Sequence, residues 1–139
     1  MTEAAEPDEV APLWHTRLGA LRWHTAEQLW FAEVDRVLVR DGQVGVASPA
    51  DLEPAATFLD WLGVNGELFR TRAVTAMFDY DLVLDYDLAE NELASKLVIH
   101  SLTVRNGTTQ AWLDTGGATT GYLCPIRLDS QHRIIGMGL

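Results

Sequence analysis

The stretch that decides the fold reads LVIHSLTVRNGTTQAWLD and spans residues 97–114. Apolar and polar residues alternate on both sides of Asn106-Gly107, a dipeptide that favours the two-residue turn of a β-hairpin because both residues tolerate a positive φ. The pattern predicts one strand within Leu93–Arg105 and its partner within Thr109–Leu113. We therefore expect an antiparallel sheet in the second half of the chain.

The strand pattern continues on both sides of this hairpin. From Val74 to Leu88, apolar or aromatic residues occupy even positions and four aspartates occupy odd ones, which predicts one long strand with a solvated face. The last two strands are predicted within Gly121–Leu128 and Arg133–Leu139, with a turn at 129–131 between them. Together these segments predict an antiparallel meander.

The first half of the chain has the spacing of amphipathic helices. From Asp8 to about Arg22, apolar residues recur three and four positions apart, which places them on one helical face. Thr25 and Gln28 resemble a capping box, so a second helix is expected from there to about Val37. Both helices are expected to lean on the sheet.

The segment 37–47 allows two interpretations. Residues 37–40 either finish the second helix, with Gly42 just beyond its end, or pair with residues 43–46 as a hairpin. Asp41-Gly42 between β-branched runs favours the hairpin.

A third helix is predicted to follow this segment. It begins at Ser48 or Asp51 and ends at Leu62, with Gly63 as its stop. Pro54 fits its first turn, where a missing amide proton costs least.

Composition limits the function classes. The chain has 139 residues and 47% hydrophobic content, which predicts a single domain over 9–139 after a flexible acidic tail at 1–8. A net charge of -10 would repel phosphate backbones and anionic lipids, so neither a nucleic acid nor a membrane is an expected partner. No signal peptide or long apolar span is expected. Cys124 is the only cysteine, which fits a reducing cytoplasm and a packed, inert thiol.

The order of these elements resembles the nuclear transport factor-like cone fold, a superfamily that includes SnoaL-like polyketide cyclases and ketosteroid isomerases. The resemblance covers essentially the whole chain and rests on element order and on the closing pattern 121–129 followed by 133–135. It implies an α+β fold in which N-terminal amphipathic helices pack on a strongly curved, mainly antiparallel sheet that forms a cone with an internal pocket. It also implies a homodimer through the open sheet face, with Leu93, Leu97 and Ile99 contributing.

Three polar side chains are the candidate catalytic residues of such a pocket. Asp114 ends a predicted strand at the pocket mouth, where a carboxylate is able to act as general base. His100 interrupts an aliphatic strand and is suited to proton relay near neutral pH. Tyr80 places a phenol on the apolar strand face, where it would donate to a developing enolate or alkoxide. The structural alternatives are a turn aspartate, a half-exposed strand histidine and a core tyrosine.

The candidate ligand-binding residues are mostly aromatic. They project from the apolar strand face and the helical lid, and they are Tyr86, Phe78, Trp30, Trp61 and Trp112, together with Asp35 on the second helix. The aspartates at 79, 81, 85 and 87 follow one straight strand, which does not converge on a single ion. No Cys/His spacing fits zinc. Neither a metal nor another cofactor is expected.

Fold alone does not choose among functions. The first hypothesis is a cofactor-free enzyme that performs acid–base chemistry, as an isomerase, cyclase, dehydratase or epoxide hydrolase, on an apolar metabolite such as a polyketide or terpenoid. The alternative is a non-catalytic module that binds a ligand or forms a dimeric interaction surface. A helix-backed sheet without a cavity is a third arrangement, and it would serve partner binding.

Overall fold

The computed structural model describes residues 10–36, 38–80, 82–83, 89–119 and 123–137. Their eight strands are Leu13–His15 (β1), Gly19–His24 (β2), Leu29–Arg36 (β3), Val39–Val46 (β4), Val98–Arg105 (β5), Thr108–Asp114 (β6), Cys124–Leu128 (β7) and Ile134–Met137 (β8). A 3-10 turn, Pro49–Asp51, leads into the long helix Leu52–Asp79 (α1), and the short helix Glu90–Lys96 (α2) precedes β5. The fold is α+β, as predicted. In this part of the chain neither helix has the length and apolar character needed to cross a membrane.

The strands lie side by side in chain order. Every neighbouring pair is antiparallel except β4 and β5, which run parallel. A parallel pair needs a crossover because the chain must return to the end at which the first strand began, and α1 with α2 forms that crossover. Two meanders, β1–β4 and β5–β8, are thereby joined into one sheet. Its edges are β1 and β8, so the described sheet is not closed.

One face of the sheet carries the hydrophobic core. Ala32, Val44, Leu102, Ala111 and Ile126 stand opposite one another across β3–β7. Each is at most 4% exposed. Residues two apart on a strand share a face, so this row fixes which face of every strand points inward.

Helix α1 covers this core face. Its buried side chains follow helical spacing and are Ala55, Ala56, Phe58, Leu59, Leu62, Phe69, Ala73, Val74 and Met77. Fully burying one of the larger of these side chains contributes about 1.5–3 kcal/mol. The helix bends at Asn65, whose φ of -117° and ψ of 25° are not helical. Buried residues on both sides of the bend keep the two halves of the helix on the sheet.

The hairpin that decides the fold is confirmed. Asn106 and Gly107 have φ of 52° and 79° and join β5 to β6 in the predicted antiparallel register. The β7–β8 hairpin is also present, with its turn between Leu128 and Ile134. Local turn chemistry was sufficient to predict both.

The prediction of two N-terminal helices is wrong. The structure has β1, β2 and β3 in these segments, and the three-and-four spacing arises because a turn separates two strands. Leu18 is buried within that turn, three residues before the buried Leu21 of β2. The predicted capping box is the β2–β3 turn, in which Gln28 Nε2 donates to Thr25 O at 2.8 Å and Gln28 has a φ of 59°.

Both interpretations of segment 37–47 need correction. The chain turns earlier than predicted, at Leu38 with a φ of 68°. Strand β4 continues through Asp41 and Gly42, but with an irregularity: Asp41 has a φ of 50°, and the pairing with β5 shifts register between Val39 and Gln43. Gly42 stands opposite Val34 of β3. Pairing with β3 on one side and β5 on the other therefore prevails over the local turn preference of Asp-Gly.

The third helix begins at Leu52 with Pro54 in its first turn, but it passes through Gly63 and ends at Asp79. The predicted strand from Val74 is consequently wrong at its start, because its first residues belong to α1. Val83 makes an isolated antiparallel bridge to Thr119. Residues 84–88, like the tail at 1–8, lie outside the described residues.

Two glycine substitutions test this packing. A methyl group at Gly42 would lie 2.7 Å from His100 O and 2.8 Å from Val39 Cγ1, whereas at Gly63 it meets nothing within 4 Å. We expect Gly42→Ala to lower the free energy of unfolding by about 1–3 kcal/mol through overpacking. Gly63→Ala should raise it by about 0.5–1 kcal/mol by improving helix propensity. Urea denaturation measures both, and equal losses would contradict the packing described.

Candidate functional site

The three predicted catalytic residues do not line one pocket. Asp114 ends β6, and its Oδ1 accepts a hydrogen bond from Gly116 N at 2.9 Å, which is the structural turn role. His100 is exposed at a bulge in β5. Tyr80 is 53% exposed and follows the last residue of α1, so its phenol is not in the core.

The predicted aromatic wall is divided between the two faces of the sheet. Trp30 stands opposite Val46 on the core face, and its Nε1 donates to Ala11 O at 2.9 Å. Trp112 stands opposite Ser101 and Pro125 on the other face. Trp112 and Trp30 therefore cannot line one cavity.

The remaining predicted wall residues are on α1 or at the surface. Trp61 and Phe78 are partly buried on α1 against the core. Asp35 is exposed near the end of β3, where it accepts a hydrogen bond from Arg40 Nε at 3.3 Å. Tyr86 lies outside the described residues.

Aromatic rings fill the interface in which the cone pocket is predicted. Phe58 packs edge-on against Phe69 with ring centroids 6.1 Å apart, and it stacks on Trp61 at 5.9 Å. Phe58 and Phe69 are 1% exposed. Such packing contributes stability through area and ring geometry rather than binding space.

A set of five charged or polar side chains, which we name the β1–α1 ion network, joins the first strands to the helix. Its members are His15, Arg17, Arg36, Glu53 and Asp60. Arg17 N donates to His15 Nδ1, so His15 Nε2 carries the proton directed at Glu53 Oε1, 2.7 Å away. Arg17 bridges the two carboxylates: its Nη2 lies 2.6 Å from Glu53 Oε2 and its Nη1 contacts Asp60. Arg36 Nη2 donates to Asp60 Oδ1 at 2.9 Å.

The chemistry of this network is structural rather than catalytic. Hydrogen bonds from His15 and Arg17 lower the pKa of Glu53, and a hydrogen bond from Arg36 with one from Arg17 lowers the pKa of Asp60. Carboxylates stabilised in this way are poor proton acceptors near neutral pH. The network therefore ties β1 and β3 to α1.

A second polar region is a surface depression of about 290 Å³, which we name the His132 pocket. It lies between the start of α1 and the turns of the β5–β6 and β7–β8 hairpins, and its lining includes Glu53, Asp129, Ser130 and His132. The His132 ring packs 4.9 Å from the Trp61 ring. Burial lowers the pKa of His132, so the imidazole is neutral at pH 7.

The sheet face opposite the core, which we name the open face, carries no helix in the part of the chain that the structure describes. Across β2–β8, one row on it consists of Arg22, Phe31, Gly45, Thr103, Gln110, Arg127 and Gly136. The Phe31 ring lies over Gly45, where a methyl group would approach Cε1 to 2.7 Å, and Arg127 lies over Gly136. The glycines thus leave room for large side chains to lie flat on the sheet.

Charge is segregated along the strands of the open face. Arg22 and Arg127 occupy the row just described, and Arg105 is paired with Thr108 in the next row. On the side of the Arg22 row away from Arg105, the next row contains Glu33 opposite Gln43. Asp114 lies beyond that row, on the same side. The face therefore has a basic half and an acidic half. The half-buried Phe31 lies in the row of Arg22, and the half-buried Trp112 lies in the neighbouring row of Glu33.

Burial decides the role of the residues predicted for the dimer face and the packing of the cysteine. Leu93, Leu97 and Ile99, predicted for a dimer face, are fully buried in the core and are unavailable to a partner. Cys124 is buried, which confirms the predicted packed thiol, and that burial raises its pKa. Among the described residues, no three His, Cys, Asp or Glu side chains are arranged to hold a metal ion.

Sequence analysis did not identify the ion network or the open face. Glu53 and Asp60 are seven residues apart on a predicted helix, which places both on one helical face. His15 and Arg17 show the alternation of a strand, but they lay within a segment interpreted as a helix. No family model, curated protein or solved structure matches this chain.

The ion network predicts acid sensitivity. The folded state lowers the pKa values of Glu53 and Asp60 below their ordinary 4.5 and 3.8, so the unfolded chain binds more protons as pH falls through this range. Their contribution to stability is complete above about pH 5 and is lost as pH falls through the folded pKa values. Urea denaturation from pH 6 to pH 3 should show a smaller loss of stability in Glu53→Gln/Asp60→Asn than in the parent. Glu27→Gln, on the β2–β3 turn, is the control, and an unchanged profile in the double variant would refute the assignment.

The lowered pKa of His132 predicts a second change of stability with pH, closer to neutral pH. Its pKa lies below the ordinary value of 6.5, so the unfolded state takes up the proton first as pH falls. Stability should therefore rise with pH between the folded pKa and 6.5 and remain constant above that window. His132→Asn keeps a residue that tolerates the φ of 64° and should lose this part of the pH dependence. A parent and variant with parallel profiles from pH 5 to pH 7.5 would show that His132 titrates normally.

Proposed function

We propose that this protein is a non-catalytic interaction module that forms a homodimer through the open face. The observation that carries the proposal is the division of that face into a basic half and an acidic half around two aromatic side chains. A second copy, rotated by a two-fold axis, brings the basic half of each copy onto the acidic half of the other. Such self-complementarity is what a symmetric dimer interface requires.

The composition of the open face supports a buried surface. Phe31 and Trp112 are half-buried in the monomer, and His24 packs edge-on against Phe31 with ring centroids 4.9 Å apart. Aromatic residues and arginines are enriched at protein interfaces because they combine large contact area with directional polar groups. Pro125 lies opposite Trp112 on the same face and adds an apolar side chain to this patch.

The size of the face indicates a weak dimer. Strands are about 4.8 Å apart and rise about 3.3 Å per residue, so β2–β8 with five positions each presents roughly 500 Å² per copy. A total near 1,000 Å² is at the lower limit for a specific interface. We therefore expect dissociation in the micromolar range, about 1–100 µM.

Charge reversal tests the dimer. Arg22→Glu/Arg127→Glu makes the open face predominantly acidic, with Arg105 as the remaining arginine of its basic half, and Glu33→Arg/Gln43→Arg makes it predominantly basic. Each variant alone should be monomeric at about 100 µM, where the parent is dimeric, because like charges then face each other. An equimolar mixture of the two variants should dimerise again. Sedimentation velocity and native mass spectrometry measure the subunit count.

The control is Arg72→Glu/Arg133→Glu, which changes the net charge by the same amount as Arg22→Glu/Arg127→Glu but lies outside the open face. It should dimerise as the parent does. A monomeric parent at about 100 µM, or mixed variants that remain monomeric, would overturn the proposal.

Acid–base chemistry on a small apolar metabolite is the second candidate function, and the His132 pocket favours it. Its neutral imidazole lies against Trp61 and Phe58 beside the carboxylates of Glu53 and Asp129. Asp114, His100 and Tyr80 remain the residues proposed from sequence, although none of them is in the lining of this pocket. Native mass spectrometry of gently purified protein tests this candidate. A co-purified ligand of a few hundred daltons that is lost in His132→Asn would support it.

A further inference from the structure

We infer that a groove at the bend of α1 is a binding site for a phosphate group carried by a small molecule. This site goes beyond the proposed dimer and lies on the core-side surface, between the middle of α1 and the β3–β4 turn. The groove has a volume of about 460 Å³. Its lining is Asp35, Arg36, Leu38, Arg40, Gly66, Glu67 and Arg70.

The groove concentrates cations in an acidic protein. Three of the ten lysine and arginine residues line it, whereas the chain as a whole carries a net charge of -10. Two of these arginines come from the ends of β3 and β4, and Arg70 comes from the second half of α1. Their convergence depends on the fold, because Arg70 is thirty positions from Arg40 in the sequence.

The arginines retain donors for a ligand. Arg36 donates to Asp60 at 2.9 Å, Arg40 to Asp35 at 3.3 Å and Arg70 to Glu67 at 3.1 Å. A guanidinium group has five N–H donors, so one bond to each carboxylate leaves most of them unused. Arg70 Nε is buried and has no acceptor among the described residues, so the bond from Nη1 to Glu67 is the side-chain hydrogen bond that holds this guanidinium group there.

Two of the carboxylates are weak competitors. Glu67 is 88% exposed, and Arg40 and Asp35 are 70% and 61% exposed. Exposed pairs of this kind contribute little because water screens them. A phosphate monoester carries more charge and more acceptor oxygens than a single carboxylate, and arginine binds it through two parallel hydrogen bonds. It would therefore displace Glu67 from Arg70 and Asp35 from Arg40.

The bend in α1 gives the groove its space. Asn65 leaves helical geometry and its Nδ2 donates to Trp61 O at 3.1 Å, and the next residue, Gly66, lines the groove without a side chain. The volume exceeds that of a phosphate group alone. The ligand class is thus a small phosphorylated metabolite rather than free phosphate.

Calorimetric titration with glycerol 3-phosphate and with inorganic phosphate tests the site at constant ionic strength. We expect saturable binding with a dissociation constant of about 1 mM or lower for glycerol 3-phosphate, and weaker binding of inorganic phosphate. Arg40→Gln and Arg70→Gln should each weaken binding about tenfold, because each removes a charge-assisted pair. Glu67→Gln should tighten it about threefold by removing a competing carboxylate.

The matched control is Arg72→Gln, an exposed arginine on the same helix that does not line the groove. It should bind as the parent does. Arg40 is so exposed that its substitution does not threaten folding, so its result is decisive if Arg70→Gln is unstable. If binding of glycerol 3-phosphate does not saturate by about 20 mM, which is about twenty times the expected dissociation constant, the inference is overturned. Equal binding by the parent, Arg40→Gln and Glu67→Gln would also overturn it. If a phosphoserine peptide binds and glycerol 3-phosphate does not, the inference of a small metabolite is overturned and the ligand class is a phosphoprotein.

Discussion

The parallel pairing of β4 with β5 is the constraint on which the rest of the structure depends. It joins two antiparallel meanders whose own hairpins need only short turns, and it requires a crossover that short turns cannot provide. Val44 and Val46 stand opposite Leu102 and Val104 at this junction, and all four are fully buried. Because α1 begins directly after β4 and packs on these residues, one face of the sheet is covered by the connection itself. The other face receives no helix from the described chain.

Because α1 covers one face of the sheet and leaves the other uncovered, the charged residues that stabilise the fold lie on a different face from those proposed to bind a partner. On the covered side, Glu53 and Asp60 of α1 are held by Arg17 and Arg36 of the strand segment, and their lowered pKa values reflect bonds already made. On the open face, Arg22, Arg105 and Glu33 are exposed. A carboxylate that is already bonded stabilises the fold, whereas an exposed charge is available to a partner. The open face, rather than the ion network, is therefore the proposed interface.

Sequence patterns predicted the turns and helix ends that are determined by the conformational preferences of neighbouring residues. Asn106-Gly107 specifies its turn through the φ preferences of two residues, and Pro54 marks the start of a helix through its missing amide proton. The first three strands depend instead on distant partners. Leu18 and Leu21 have helical spacing only because a turn lies between strands, and no local feature distinguishes this from a helix.

The candidate site was harder to predict than the fold for a related reason. Alternation assigns Trp30 and Trp112 each to one face of its own strand, but it does not relate the faces of strands eighty residues apart. The bulge between Ile99 and Ser101 further changes the register beside Trp112. Pairing partners, which place the two tryptophans on opposite faces, are a property of the folded sheet.

The bend in α1 links the length of the crossover to the proposed phosphate groove. A straight helix of 28 residues would be about 42 Å long, whereas an eight-residue strand spans only about 27 Å. A straight helix of this length would extend beyond the strands it covers if it followed their direction, and part of its apolar face would lose contact with the core. The bend at Asn65 keeps Leu62 and Phe69, on either side of it, fully buried. Gly66, the residue that follows the bend, has no side chain and lines the groove opposite the β3–β4 turn, where Arg36, Arg40 and Arg70 also line it. The groove therefore lies beside the bend that keeps both halves of α1 on the core.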